Sequence, residues 1–589
     1  MIDLRNTNTL WGSIIAETFS RLGLTTAIIC PGSRSTPLTV AFAQHSEIET
    51  IPILDERSAA FFALGIAKRS SLPVVLICTS GTAGANFFPA IIEAKESQVP
   101  LLILTADRPP ELRNCHAGQS IDQVKMYGNY PNWQTELAIP ASDLGMLRYL
   151  RQNIVQAWQR SLLPSPGVVH LNIPFREPLA PTPEPLHCQL QAEDFFAGIS
   201  NFSVAKNTFS LEITAQIKNY LSQWQKCDRG IIIAGIAQPQ NPEEYCQIIG
   251  HLAKTLGWAV LAEGLSPVRN YANRNPYLIS TYDSILRNRE IAEKLSPEIV
   301  IQIGELPTSK TLRSWLENTQ AYRFIIDSSS ENLDPIHGKT THLYLDVSQL
   351  QPIIDFRQTN VIKPENYLKT WYNAETQLRT KITRKLAATK TLFEGKIPWL
   401  LAQNLPPQTP IFVANSMPVR DVEYFWQPNH SQIIPYFNRG ANGIDGTLST
   451  ALGIAHRNQS AVLLTGDLAL LHDTNGFLTS NKFLGHLTII LINNQGGGIF
   501  EMLPISQFKN TFEEYFATPQ NVDFAQLAAS YGIEHQLITS WEQLQALLNP
   551  LPEKGIRILE LQTDRQTDAK WRQENLAKFA TDLVEKSPN

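Results

Sequence analysis

The sequence predicts an α/β protein of three consecutive domains with mostly parallel sheets, the first and third of them related. Three observations predict it. The chain has 589 residues, too many for a single hydrophobic core. Short apolar runs ending in Gly, Pro or Asp recur at helical spacing, as the βα units of a parallel sheet do. A stretch near the start, ALGIAKR at 63–69, returns near the end as ALGIAHR at 451–457, an offset of 388 (451 − 63).

In the first third the apolar runs are TTAIICPG, PVVLICTSG, VPLLILTADRPP and PGVVHLNIP. A proline-rich stretch without periodicity, about 178–195, reads as a linker. A second α/β set has expected strands at 230–235 (GIIIAG), 259–263, 298–304 (EIVIQIG) and 322–327. From about 348 to 400 the chain turns polar and helical, and a third set opens at PIFVANS. The expected domains are 1–190, 191–365 and 366–589.

Carried without a gap, the 388 offset lays Val74–Leu76 on Val462–Leu464 and Leu101–Leu104 on Ile489–Ile492. Two of the three domains therefore read as copies. The copies differ where strands end, with Thr79 opposite Asp467 and Glu56 opposite Ile444. Strand ends are where α/β proteins place their chemistry.

Composition narrows the class. Hydrophobic residues make up 43% and charged residues 17%, the balance of a packed globular protein and not of a disordered one. A formal net charge of −5 argues against a duplex nucleic-acid binder. No apolar run is long enough to span a bilayer, and MIDLRNTNTLW does not read as a secretory signal; a cytoplasmic location is expected. Cys30, Cys78, Cys115, Cys188, Cys227 and Cys246 form no C-x-x-C pair, so neither zinc nor disulfides are indicated and the thiols are expected as buried small hydrophobes.

The third set carries the chemistry. The strand AVLLT runs into Gly466-Asp467, and LTIILI runs into Asn493-Asn494-Gln495-Gly496, 27 residues later (494 − 467). That spacing fits one βαβ unit, which sets both polar ends side by side on one sheet edge. A carboxylate from Asp467, an amide oxygen from Asn494 and the carbonyl of Gly496 are hard ligands suited to octahedral Mg²⁺. Read singly, Gly-Asp is a helix cap and Asn-Asn a turn. Gly497 and Gly498 add bare backbone able to approach an anion closely.

Gly-Asp followed one βαβ unit later by Asn-Asn resembles the cofactor motif of thiamine-diphosphate enzymes. The strings CPGSRSTPLT, TSGTAGANFFPA, LTADRPPEL, HLNIPFREPL, GELPTSK, NSMPVRD and NRGANGIDGTLSTALGIA extend the likeness over nearly the whole chain, to the 2-succinyl-5-enolpyruvyl-6-hydroxy-3-cyclohexene-1-carboxylate synthase family. The resemblance implies the thiamine-diphosphate-binding fold, thiamine diphosphate with Mg²⁺ or Mn²⁺, and decarboxylation of 2-oxoglutarate with addition of the succinyl carbanion to isochorismate, on the route to menaquinone or phylloquinone. It assigns Glu56 as the acid that activates the cofactor and Asp467, Asn494 and Gly496 as metal ligands. Ile444, Gly466, Gly497, Ile499, Phe500 and Leu503 join Glu56 and these ligands in lining the cofactor. It also implies a homodimer or homotetramer with active sites shared between subunits. Both substrates are dicarboxylates, and the matched strings bring Arg34, Arg108, Lys310, Arg420 and Arg439 to strand ends, where planar guanidinium groups bind carboxylates in bidentate fashion. Ser33, Gln119 and Ser416 would supply neutral hydrogen bonds. The chain departs from the family pattern at Thr311 and Gly118, beside Lys310 and Gln119, where some relatives carry a basic residue and an Asn.

Two other readings use the same residues differently. An acetolactate synthase or similar carboligase would share Glu56, Asp467 and Asn494 but act on small monocarboxylates, which call for fewer cations. A nucleotide-binding regulatory protein would use GIIIAG as the opening of a dinucleotide fold, but no full G-x-G-x-x-G follows.

Overall fold

The structure, a computed structural model, describes residues 2–186, 188, 190–200, 211–354, 366–581 and 583. Three six-stranded sheets follow one another, and every strand pairing in them is parallel. The first holds β1 (Thr26–Ile29), β2 (Glu49–Pro52), β3 (Val74–Cys78), β4 (Leu101–Asp107), β5 (Trp133–Glu136) and β6 (Val168–Pro174) in the order β2-β1-β3-β4-β6-β5. The second holds β7 (Gly230–Ala234), β8 (Ala259–Ala262), β9 (Leu278–Ile279), β10 (Ile299–Ile303), β11 (Tyr322–Asp327) and β12 (Lys339–Tyr344) in the order β12-β11-β10-β7-β8-β9. The third holds β13 (Pro410–Val413), β14 (Ile434–Tyr436), β15 (Ala461–Gly466), β16 (His486–Asn493), β17 (Glu534–Ile538) and β18 (Gly555–Gln562) in the order β14-β13-β15-β16-β18-β17.

The first and third sheets thus share one strand order, while the middle sheet has the doubly wound order of dinucleotide-binding folds. The expected duplication is visible in the packing too. Helices Glu56–Ser70 and Thr447–Ala455 lie against each other with glycines at the crossing. A Cβ on Gly65 would sit 2.1 Å from the Thr450 carbonyl oxygen, and one on Gly453 would sit 2.1 Å from that of Phe62. Both pairs obey the 388 offset, so the two copies meet about a local two-fold. Arg69 donates to the Arg457 carbonyl at 3.2 Å, again across that offset.

The ungapped alignment needs one correction. Val74 pairs with Leu101, whereas Val462 pairs with Thr488; the offset has dropped to 387 (488 − 101) by the fourth strand. One residue is lost between the strands, and in a sheet a one-residue slip exchanges the two faces.

The proline-rich stretch after β6 is held along the first helix: Asn6 Nδ2 donates to the carbonyls of Ala180 and Thr182, and Asn8 Nδ2 to those of Arg176 and Pro178. The expected boundary at 365 lies outside the described residues. Helix Asn366–Ala388 lies on the middle domain, where the Glu375 carboxylate accepts from Ser280 and Thr281 and the Tyr367 hydroxyl donates to the Leu295 carbonyl. Among the cysteines, Cys30, Cys78, Cys227 and Cys246 are buried as expected, Cys188 is half-buried, and Cys115 is exposed on the loop after β4. No helix among the described residues is long and apolar enough to cross a membrane.

Candidate active site

Strands β15 and β16 are hydrogen-bonded neighbours, with Gly466 paired to Ile492. Asp467 and Asn494 therefore leave the same edge side by side, as the spacing predicted. Both are buried, at 3% and 6% exposure. Asp467 opens a short helix; one carboxylate oxygen accepts from its neighbour Leu468 and the other from the Gly496 amide, both at 2.8 Å. Burial pushes the Asp467 carboxyl up to about 6, against the pull of those two amides. Asn494 donates its Nδ2 to Glu394 at 2.9 Å, while its Oδ1 is buried with no hydrogen-bond partner among the described residues.

A buried amide oxygen without a partner costs about 1–3 kcal/mol unless something satisfies it. Here it stands with a carboxylate and a turn carbonyl, an all-oxygen donor set that fits a small divalent cation. Gly466 points the same way: a Cβ there would meet nothing within 4 Å, so the space beside it is open.

The glycine run behaves differently from the expectation of free amides. The Gly497 amide donates to the Ala517 carbonyl and the Gly498 amide to that of Gly496. Glycine is required instead by crowding, because a Cβ on Gly496 would lie 2.3 Å from the Ala517 oxygen and one on Gly498 2.7 Å from Asn494 Nδ2. Gly496 also holds φ at +130°, a region side chains disfavour. Arg565 fixes this turn, donating to the Gln495 carbonyl at 2.7 Å and to Glu501 at 3.1 Å. Ile499 and Phe500 follow on a short 3₁₀ turn, half-buried, with Leu503 just beyond it.

Glu56 is the first residue of its helix, capped by Asp55, whose carboxylate accepts from the Ser58 amide. It is half-buried. Burial raises the Cys30 and Cys78 thiols at the ends of β1 and β3, and the negative charge of Glu56 adds to it. Ile444, its counterpart, stands half-buried just before the paired helix.

The cations gather in two pairs. Arg34 and Arg108 lie at the ends of β1 and β4; burial, then Arg108, lowers the Arg34 pKa. Arg34 donates to the Phe175 carbonyl at 3.0 Å and pairs with Glu177 at 3.3 Å, and Arg108 donates to Ser80. Ser33 is exposed beside Arg34, and exposed Gln119 lies close to Gly81. The second pair is Arg420 and Arg439; burial, then Arg439, lowers the pKa of Arg420. Arg439 donates to Asn415 Oδ1 at 2.8 Å and to Thr308 at 3.3 Å. Arg420 donates to the carbonyl of Ser416, a residue held at φ +71°. Lys310, exposed, opens the helix two residues after Thr308.

Three sequence-family profiles match the chain: thiamine pyrophosphate enzyme, N-terminal TPP binding domain, over residues 11–126; middle domain of thiamine pyrophosphate over 204–413; and thiamine pyrophosphate enzyme, C-terminal TPP binding domain, over 421–559. A 2-succinyl-5-enolpyruvyl-6-hydroxy-3-cyclohexene-1-carboxylate synthase of Gloeothece citriformis is 64% identical over 582 residues, covering 98% of this chain and 99% of that protein. The synthase of the same name from Trichormus variabilis is 60% identical over 590 residues, covering 99% and 100%. The chain belongs to the 2-succinyl-5-enolpyruvyl-6-hydroxy-3-cyclohexene-1-carboxylate synthase family.

Among solved structures, the thiamine diphosphate-dependent 4-hydroxybenzoylformate decarboxylase of Rhodococcus jostii superimposes with a TM-score of 0.70 at 15% identity, covering 94% of this chain and 99% of that one. Benzoylformate decarboxylase from Polynucleobacter necessarius gives 0.69 at 16% identity, covering 94% and 98%. These likenesses carry the fold alone. In this synthase-family chain Glu394, Asn415 and Thr308 also stand at the site, without having been singled out by sequence. Asn415 and Thr308 lay inside strings already matched and touch Arg439; Glu394 follows Phe393 in a stretch without any chemical signature.

Proposed function

We infer that the chain is a thiamine-diphosphate-dependent carboligase that decarboxylates 2-oxoglutarate and adds the resulting succinyl carbanion to isochorismate. What supports this above all is near-full-length identity of 64% to a relative named for that synthase. The two arginine pairs agree with it, since each is suited to a dicarboxylate.

Asp467, the free Oδ1 of Asn494 and the Gly496 carbonyl would hold Mg²⁺ or Mn²⁺, whose positive charge would suit a diphosphate. Gly497, Ile499, Phe500 and Leu503 would close one side, with Ile444 as an apolar prop. Thiamine diphosphate supplies the electron sink for the charge left by decarboxylation. Glu56 would be the acid that shares a proton with a bound aminopyrimidine. Ser33, Arg34, Arg108 and Gln119 from the first domain, Lys310 from the second, and Ser416, Arg420 and Arg439 from the third bind and orient substrate carboxylates. The proposed division is 1–190, 191–365 and 366–589, which leaves each sheet whole. The proposed assembly is a homodimer, or a pair of them, in the cytoplasm, with Glu56 of one subunit facing the metal corner of another.

Carbon dioxide release from 2-oxoglutarate in the presence of isochorismate, thiamine diphosphate and Mg²⁺ tests the reaction. No release overturns it, and turnover of pyruvate in its place favours the acetolactate synthase reading. Asp467→Ala is expected to lose metal and cofactor together; Mn²⁺ binding at wild-type strength in that variant would move the metal site elsewhere.

A further inference from the structure

An asparagine ligand is ambiguous in a way that a carboxylate is not. Its amide has a donor end and an acceptor end of nearly the same shape, and a cation tolerates only the oxygen. Something must therefore hold the Asn494 amide the right way round, and neither metal nor cofactor can do so before it arrives.

The structure places Glu394 there. It is 1% exposed and comes from the segment before helix Lys396–Asn404, about 100 residues ahead of Asn494. Its two carboxylate oxygens have separate duties: Oε2 accepts from Asn494 Nδ2 at 2.9 Å, and Oε1 accepts from Arg572 at 2.6 Å. Arg572, also 1% exposed, spends its remaining bonds on Asp421, at 2.8 Å and 2.6 Å. Asp568, one helical turn before Arg572, accepts from the Glu394 backbone amide at 3.2 Å. An ion-paired carboxylate offers acceptors and no donor. So Asn494 can turn only its nitrogen toward Glu394, and its oxygen is left without a partner among the described residues.

We propose that Glu394 is a positioning residue that fixes the Asn494 amide with its oxygen toward the metal site, and that Arg572 and Asp568 on the C-terminal helix hold Glu394 in register. The inference rests on the reading of Asn494 as a metal ligand and deepens it.

Glu394→Gln makes the point testable because it keeps the shape. Arg572 needs an acceptor, so the new amide presents its oxygen to Arg572 and its nitrogen to Asn494. Two nitrogens cannot face each other, and Asn494 must turn its own nitrogen toward the metal. Supporting partners of metal ligands typically alter affinity by about 10- to 100-fold, and a loss of that size is expected in the apparent Mn²⁺ affinity, read from the electron paramagnetic resonance of bound Mn²⁺ at saturating thiamine diphosphate. Near-ultraviolet circular dichroism should stay as in the wild type. Adding Asn494→Asp to Glu394→Gln should restore affinity, because a carboxylate at 494 accepts from the glutamine nitrogen and keeps an oxygen for the cation. Asn494→Asp alone leaves the Arg572 pair intact but sets two carboxylates face to face, and should bind Mn²⁺ more weakly than wild type despite its added charge.

Wild-type Mn²⁺ affinity in Glu394→Gln, an absence of rescue in the double variant, or Mn²⁺ binding in Asn494→Asp as tight as wild type would each overturn the proposal. Asp467→Ala separates the two levels. If that variant loses Mn²⁺ while Glu394→Gln keeps it, the metal site stands and the positioning role falls; if Asp467→Ala keeps Mn²⁺, the metal site itself falls.

Discussion

Replacing Gly65 with alanine drives a methyl group into the Thr450 carbonyl at 2.1 Å. That oxygen belongs to a helix and cannot swing aside, so helices Glu56–Ser70 and Thr447–Ala455 must part by about 1 Å to restore van der Waals contact. Their contact surface is packed with Phe62, Ala63, Ile66, Leu448, Ala451 and Leu452, all buried. Overpacking such a core costs about 1–3 kcal/mol. Gly453→Ala makes the mirror-image clash with Phe62 and should cost a similar amount. Because both methyls wedge the same crossing, the double variant should cost well under the sum of the two, the non-additivity expected of neighbours. Urea unfolding followed by circular dichroism measures all three. The crossing also bears on function, since Glu56 opens one of these helices and Ile444 stands just before the other. A displacement of about 1 Å can cost about 10²-fold in rate, so carbon dioxide release should fall in both single variants. Single variants within about 0.5 kcal/mol of wild type, the range of neutral surface changes, or a strictly additive double variant, would refute the two-fold crossing as the element that sets this geometry.

Other outcomes follow from the same site. Glu56→Gln should retain thiamine diphosphate, measured by fluorescence quenching, yet lose about 10²- to 10⁴-fold in turnover, the usual share of a general acid; equal turnover means another acid does the work. Mixing and refolding inactive Glu56→Gln with inactive Asp467→Ala subunits should recover about a quarter of wild-type activity if sites are shared across a symmetric dimer, since half the dimers then hold one intact site. No recovery would place each site within one chain. Arg439→Lys loses the fork that spans Asn415 and Thr308, and should raise KM for one dicarboxylate substrate by about 10-fold with less change in kcat; unchanged KM values for both substrates would remove Arg439 from the site. Burial holds His170 down at about 3, well below the unfolded value. Between these pH values the unfolded chain binds the extra proton, so stability from this group is whole at neutral pH and drains as pH falls below about 6.5. At pH 5 the loss is about 2 kcal/mol, and His170→Gln should show a shallower fall in urea midpoint between pH 7 and pH 5 than wild type does.

What the sequence disclosed of the fold has a clear boundary. The inner strands β1, β3, β4, β6, β7, β8, β10, β11, β13, β15 and β16 were all legible, because parallel strands covered on both faces read as continuous apolar runs. The edge strands β5, β9, β12, β14 and β17 were not, being short or partly exposed. One inner strand, β18, also escaped. Buried Arg557 and Glu560 interrupt its apolar run; Arg557 donates to Thr488 and the Leu547 carbonyl, and Glu560 accepts from Asn493. Such residues are apolar in their burial and polar in their letters, and no periodicity rule sees them.

The same blindness hid half of the metal corner, and the reason is physical. Helix Arg565–Thr581 turns Arg565, Asp568 and Arg572 inward, all buried, ahead of Leu576 and Phe579, so the first half of its buried face does not show the apolar stripe by which a packed helix is recognised. Stability does not account for this choice, since buried ions replaced together by apolar residues of similar volume often leave a protein as stable or more so. An apolar face could pack under the Gln495–Gly498 turn equally well. It could not grip the Gln495 carbonyl, as Arg565 does, nor present an acceptor to Asn494, as Glu394 does through Arg572. Asp467 and Asn494 declare themselves in sequence because they lie on strand ends at a fixed spacing. The residues that aim them come from positions about 70 to 100 residues distant, joined by folding alone, and their ionic character is explained by what they orient.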